Sequence, residues 1–197
     1  MSKVVIVDYE SGNIRSVANI LDSLSCSYEI TSDKKKISSS SRIIFPGQGH
    51  FKQAMENLEK KGLSEVVKEC CFKGIPFLGI CIGLQILFER SEEAPNTSGL
   101  GLFKGQVKKF LTGKTPQVGW NKIVTTPKNT FLKDDYFYFV NSYYVVPEDD
   151  SIISSYSDYN IKFCSSVQKN NITAVQFHPE KSAASGIEFF KCWLSQK

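Results

Sequence analysis

The chain has 197 residues, 41% of them apolar and 22% charged, enough to fill one hydrophobic core and too apolar for a disordered protein. Its 24 Lys+Arg against 20 Asp+Glu leave a formal charge of +4 with no arginine-rich stripe or basic tail, so nucleic acid is not the implied partner. No apolar run approaches the roughly 18 residues that span a bilayer, and Val4 to Val7 after Met1-Ser2-Lys3 is too short for a signal-peptide core, so a cytosolic chain with no membrane partner is expected.

In chain order, Val4 to Val7 reads as a buried strand, followed by a Gly12-Asn13 turn. A helix comes next, with apolar positions Ile14, Val17, Leu21 and Leu24 at spacings of three and four. Strands are expected near Tyr28-Ile30 and at Arg42 to Phe45, separated by the polar stretch Lys34 to Ser41, and the second breaks at Pro46-Gly47-Gln48-Gly49. Helices then fill about Phe51 to Phe72 with a break at Gly62. The strand Pro76 to Ile80 leads into a helix carrying Leu84, Leu87 and Phe88. Alternating strands and helices imply an α/β fold with a mostly parallel central sheet and helices on both faces. After Glu93 the character changes to a β-rich second half, with runs at Gln106–Phe110, Tyr136–Val140, Tyr143–Val146, Ile152–Tyr156 and Phe163–Val167. Thr173 to Phe177 is a last apolar strand, and a helix from Ser182 carries Ile187, Phe190 and Trp193-Leu194 on one face.

Six cysteines form no CxxC pair, so neither a disulfide framework nor a metal site is suggested, and five of them read as inert filling. The sixth, Cys81, stands in Gly79-Ile80-Cys81-Ile82-Gly83, between an expected strand and an expected helix. Small neighbours permit the sharp turn of a nucleophile elbow, and the helix amino terminus favours a thiolate. The bland alternative is a buried cysteine in a glycine-containing turn. A thiolate needs a base, and the sequence offers only His50 and His178. His178, at the end of the last expected strand in Gln176-Phe177-His178-Pro179-Glu180, has in Glu180 a carboxylate that can orient its ring, whereas His50 beside the glycine turn reads as a turn or surface residue. Free backbone N–H groups of Gln48 and Gly49, and that of Ile82, are candidate oxyanion donors. The residues alone propose acyl transfer from an amide or ester through a cysteine thioester.

Gly79-Ile80-Cys81-Ile82-Gly83-Leu84-Gln85 and Phe177-His178-Pro179-Glu180 resemble the two signatures of the class I, or triad, glutamine amidotransferases. Asp8-Tyr9-x-x-Gly12-Asn13-x-x-Ser16, Pro46-Gly47-x-Gly49-x-Phe51, Gly119-Trp120-Asn121 and His178-Pro179-Glu180-Lys181-Ser182 further resemble one branch, the glutaminase subunits of imidazole glycerol phosphate synthases. The resemblance implies one amidotransferase domain over residues 1–197, no cofactor and no metal. It implies hydrolysis of L-glutamine, with ammonia passed to a (β/α)8 barrel synthase subunit in a heterodimer. Carried over by position, Cys81 is the nucleophile, His178 the base and acid, and Glu180 its orienter. Gly47, Gln85, Glu93 and backbone groups near Ser142-Tyr143 match positions that hold glutamine. Asn13, Trp120, Tyr138 and Lys181 match positions facing the synthase subunit.

Three positions depart from the branch pattern: Gln48 stands where valine is usual, Gln117 and Asn141 where histidine is usual. All three lie on the side expected to face the partner, so a paralogous glutaminase supplying a different synthase, such as a sugar-nucleotide amidotransferase, stands beside the main reading. A stand-alone cysteine hydrolase and a non-catalytic partner are further alternatives. Gln85 and the late His-x-Glu speak against the first, the intact Cys81, His178 and Glu180 against the second.

Overall fold

In the computed structural model, which describes residues 3–10 and 12–196, β1 (Val4–Val7) has all four side chains buried. Alternation along a strand divides them: Val4 and Ile6 enter one apolar cluster, Val5 and Val7 the other. Helix α1 (Ile14–Ser23) buries Val17, Ala18 and Leu21, the stripe expected from their spacing. It is followed by β2 (Tyr28–Thr31), α2 (Lys34–Ser38) and β3 (Arg42–Phe45). The polar stretch from Lys34 thus holds a short helix, because the Asp33 carboxylate caps it through the N–H groups of Lys35 and Lys36, at 2.8 and 3.1 Å, and Ile37 anchors it in the core. Helices α3 (Phe51–Lys60) and α4 (Ser64–Phe72) flank Gly62, whose φ of 63° explains the break.

Strand β4 (Phe77–Ile80) leads into α5 (Ile82–Gln85), a single turn rather than the expected longer helix. Phe88 belongs instead to β5 (Phe88–Ser91), which leaves the helical path because it pairs with β6 (Phe103–Lys109). The second half continues with β7 (Gln117–Thr125), β8 (Asp135–Asn141), β9 (Tyr143–Pro147), β10 (Ile153–Asp158), β11 (Lys162–Lys169) and β12 (Ile172–Val175). The chain closes with α6 (Ala183–Ser195), which buries Phe189, Phe190 and Trp193; Ile187, expected on that face, is exposed. β12 ends two residues before the expected Phe177, since its parallel partner β4 ends at Ile80 opposite Val175; beyond it the Gln176 N–H still reaches the Ser165 carbonyl on β11 at 2.9 Å.

Among the described residues these strands form one sheet in the order β2-β1-β3-β4-β12-β11-β10-β7-β8, with β9, β6 and β5 branching from β11. The first five run parallel, and the rest of that path is antiparallel. Side chains of α1 and α6 enter the cluster that holds Val4 and Ile6, those of α2, α3 and α4 the opposite one, so helices cover both faces of the parallel half. Among the described residues no helix is long and apolar enough to cross a membrane.

Candidate active site

Three neighbouring parallel strands, β3, β4 and β12, end at one edge, where Phe45 is in register with Gly79 and Val175 with Ile80. The segments that follow them therefore meet: the Gly47-Gln48-Gly49 turn, Cys81, and Gln176 to His178. Cys81 sits at φ 55° and ψ −105°, a strained backbone outside the usual regions, and its N–H is tied to the Val175 carbonyl at 2.7 Å. The flanking glycines are required by close approach. A Cβ on Gly79 would lie 2.5 Å from the Gly83 carbonyl oxygen, and one on Gly83 would collide with the Phe45 carbonyl.

Cys81 opens into a cavity of about 360 Å³. His178 lines it too, with 1% of its side chain exposed, and its Nδ1 lies 2.7 Å from Glu180 Oε1 behind it. Burial pulls the imidazolium down, but the charge of Cys81 on the cavity side and the Glu180 carboxylate behind the ring outweigh that and raise His178 to about 10. Among the described residues His178 Nε2 has no hydrogen-bond partner, so the ring nitrogen opposite Glu180 is free for chemistry. The other five cysteines have thiols pushed up by burial, Cys71 to about 12.

Of the expected glutamine-holding positions, Gln85, Glu93, Ser142 and Tyr143 line the cavity. Glu93 sits at the amino terminus of α3, accepting the Phe51 N–H at 2.6 Å, where the helix dipole favours its charge. Burial, with that charge, raises the Tyr143 phenol. Gly47 does not line the cavity: a Cβ there would collide with the Ile82 side chain and the Tyr9 hydroxyl, so Gly47 lets the turn pack behind Ile82. Gln48, Gly49 and Ile82 are on the wall. Ile82 opens α5 and so has no intrahelical acceptor for its N–H, while Gly49 adopts φ 127°, open to glycine at little cost. His50 caps α3 through Lys52 N–H at 3.3 Å, a turn residue as expected.

Trp120 and Tyr138 face one another across β7 and β8, edge to face at 6.2 Å, and Trp120 is 53% exposed. Lys181 is exposed, next to Glu180. Asn13 does something the sequence reading did not foresee: its amide donates to Glu180 Oε1, the same oxygen that meets His178.

A family model described as glutamine amidotransferase class-I matches residues 5–191. The chain belongs to the class I glutamine amidotransferases. Within this family it is 40% identical to the imidazole glycerol phosphate synthase subunit HisH of Moorella thermoacetica, covering 97% of this chain and 93% of that protein. Subunits HisH of Dehalococcoides mccartyi and Bacillus cereus are each 42% identical, covering 98% and 95% of this chain and 99% and 92% of theirs. The fold matches a solved glutamine amidotransferase with a TM-score of 0.78 at 17% identity, each chain covered to 96%. It also matches PurLQS from Thermotoga maritima, with 0.75 at 18% identity over 98% of this chain and 97% of that one.

Two side chains of this amidotransferase site, Gln176 and Asn141, escaped the sequence reading as site residues. Gln176 is fully buried and its amide donates to Cys81 Sγ at 3.5 Å. Gln117 and Asn141, both departures from the branch pattern, were expected to face the partner; they stand directly opposite each other on the buried side of the β7–β8 ladder, away from the exposed Trp120 face, and only Asn141 lines the cavity. Asn141 donates to the Tyr143 carbonyl at 2.9 Å and so braces the Ser142-Tyr143 corner of the cavity.

Proposed function

We propose that the chain is the glutaminase subunit of an imidazole glycerol phosphate synthase. It hydrolyses L-glutamine through Cys81, His178 and Glu180 and delivers ammonia to a (β/α)8 barrel subunit in a cytoplasmic heterodimer. The observation that carries the catalytic reading is a buried His178 held on one side by Glu180 and open on the other toward the cavity it shares with Cys81.

In this reading the Cys81 thiolate attacks the glutamine side-chain carbonyl, and the N–H of Ile82, with those of the Gln48-Gly49 turn, stabilises the oxyanion. The C–N bond then breaks as His178 Nε2 gives its proton to the departing ammonia, leaving a thioester. Water, deprotonated by His178, attacks that thioester; glutamate leaves and the thiolate returns. Glu180 holds Nδ1 and balances the imidazolium charge. Gln85, Glu93 and the Ser142-Tyr143 backbone hold the amino-acid end of glutamine, and no step calls for a cofactor.

The apolar face of β7 and β8 around Trp120 is the docking surface we assign to the barrel. Val140, in register with Val118 on that face, also lines the catalytic cavity, so the cavity adjoins the surface that would receive ammonia. The test is Cys81→Ala in the reconstituted complex. Glutamine-dependent synthesis is expected to fall to background while synthesis from added ammonium salt persists; loss of both in a folded complex rejects the division of labour. A second reading, ammonia supply to another acceptor such as a sugar nucleotide, rests on Asn141, the departure from the branch pattern that lies on the cavity wall. Growth without histidine of a host lacking its own glutaminase, given this chain and the barrel subunit of its source, rejects that reading as the sole role.

A further inference from the structure

Four groups form a directional chain behind the nucleophile. Gln85 Nε2 lies 3.5 Å from the Tyr143 carbonyl oxygen and 3.1 Å from Gln176 Oε1, and Gln176 Nε2 lies 3.5 Å from Cys81 Sγ. A backbone carbonyl can only accept, so it fixes which end of the Gln85 amide points toward it. The second N–H of Gln85 then goes to Gln176, which fixes that amide in turn, and an N–H is what faces the sulfur. Gln85 also lines the cavity. Gln176 is completely buried on the segment leaving β12, and both ends of its amide are used.

A donor aimed at sulfur favours the thiolate over the thiol, because the charged form is much the better acceptor. We propose that Gln176 is a positioning residue for the nucleophile: oriented by Gln85 and the Tyr143 carbonyl, its amide holds the Cys81 sulfur toward the cavity and stabilises the thiolate. The inference rests on the glutaminase reading for its purpose but not for its test. The titratable groups facing Cys81 are His178, with Glu180 behind it, and across the cavity Glu93 and Tyr143. None of these is altered by substituting Gln176.

The test is the rate at which iodoacetamide captures Cys81 in the full chain, read from the mass of its peptide between about pH 6 and about pH 9. Cys26 and Cys192, both partly exposed, report reagent strength in the same samples. Gln176→Met keeps the length and removes the donor, and is expected to slow capture at neutral pH by roughly threefold to tenfold, the worth of one hydrogen bond to a charged group. The deficit should close as pH rises. Gln176→Glu, isosteric but unable to donate when ionised, should slow capture further. In the complex, Gln176→Met should lower kcat with little change in KM for glutamine. A wild-type pH profile of capture in Gln176→Met overturns the proposal, and a uniform slowing at every pH does so too, since packing alone would give that. If Gln176→Met melts early, Gln85→Met carries the test, because it frees the Gln176 amide to turn. It should slow capture about twofold in the same pH-dependent way, and an unchanged profile overturns the proposal. Capture needs neither glutamine nor a partner, so failure here leaves the glutaminase reading intact.

Discussion

His178 shows how burial and charge compete at one residue. Burial opposes its protonation, yet the charge of Cys81 and the carboxylate of Glu180 win and hold it at about 10. A raised folded-state value means that the imidazolium contributes stability that is whole below the ordinary histidine value of roughly 6.5 and is lost as pH rises through about 10. Glu180→Gln removes one of the raising causes while keeping the shape. The melting-temperature gap between wild type and Glu180→Gln should therefore be widest near neutral pH, a few degrees, and narrow as pH climbs through the histidine's raised value; a gap flat across that window would mean that Glu180 acts through packing. The grouping of Cys81, His178 and Glu180 was legible because its signals are local: glycines two residues either side of Cys81, and a carboxylate two residues after His178. The contacts that hold these three side chains were not. Gln176 reaches Cys81 across 95 positions, and Asn13 reaches Glu180 across 167, separations at which no spacing pattern survives in one sequence.

At the scale of elements, the elbow between β4 and α5 stores strain in a non-glycine residue at positive φ. This reverses an ordinary rule. Elsewhere glycine costs about 0.5–1 kcal/mol relative to alanine through chain entropy; at position 81 alanine keeps the strained backbone and glycine relieves it. Cys81→Gly should therefore be more stable than Cys81→Ala by about 1 kcal/mol in urea unfolding, both being inactive. Alanine equal to or more stable than glycine would show that the elbow costs the chain nothing. The elements flanking this turn also mark where sequence reading failed. From Phe77 to Phe88 the chain is almost continuously apolar, so periodicity cannot separate the one-turn α5 from the start of β5, and pairing with β6 decides it. The parallel strands β1, β3 and β4 were legible because each is a short buried run between turn residues.

At the scale of the molecule, β7 explains both a missed strand and an exposed apolar face. Its inward positions include polar Gln117 and Asn121, while Val118, Trp120 and Val124 are exposed, the inverse of the alternation that marks a half-buried strand. Tyr136 on β8 extends the same exposed face, opposite Lys122. Such a patch on a sheet is costly in water unless something covers it. It is also tied to the catalytic turn: the Tyr138 carbonyl accepts the His178 N–H at 2.8 Å, and Ser182 Oγ accepts the Tyr138 N–H at 3.0 Å while donating to the His178 carbonyl at 2.7 Å. A partner seated on Trp120 and Tyr138 would therefore press on the strand that braces His178. Trp120→Ala should weaken the heterodimer by about 2 kcal/mol, roughly thirtyfold in Kd, as a central aromatic anchor does. Its melting temperature should stay near wild type, because the ring is half in solvent. Phe72→Ala, which removes a more exposed ring at the end of α4, should leave Kd unchanged. Titration calorimetry with the barrel subunit distinguishes the outcomes: equal affinities for the two variants would move the interface off β7 and β8, whereas loss confined to Trp120→Ala, recovered at high partner concentration as glutaminase activity, would fix it there.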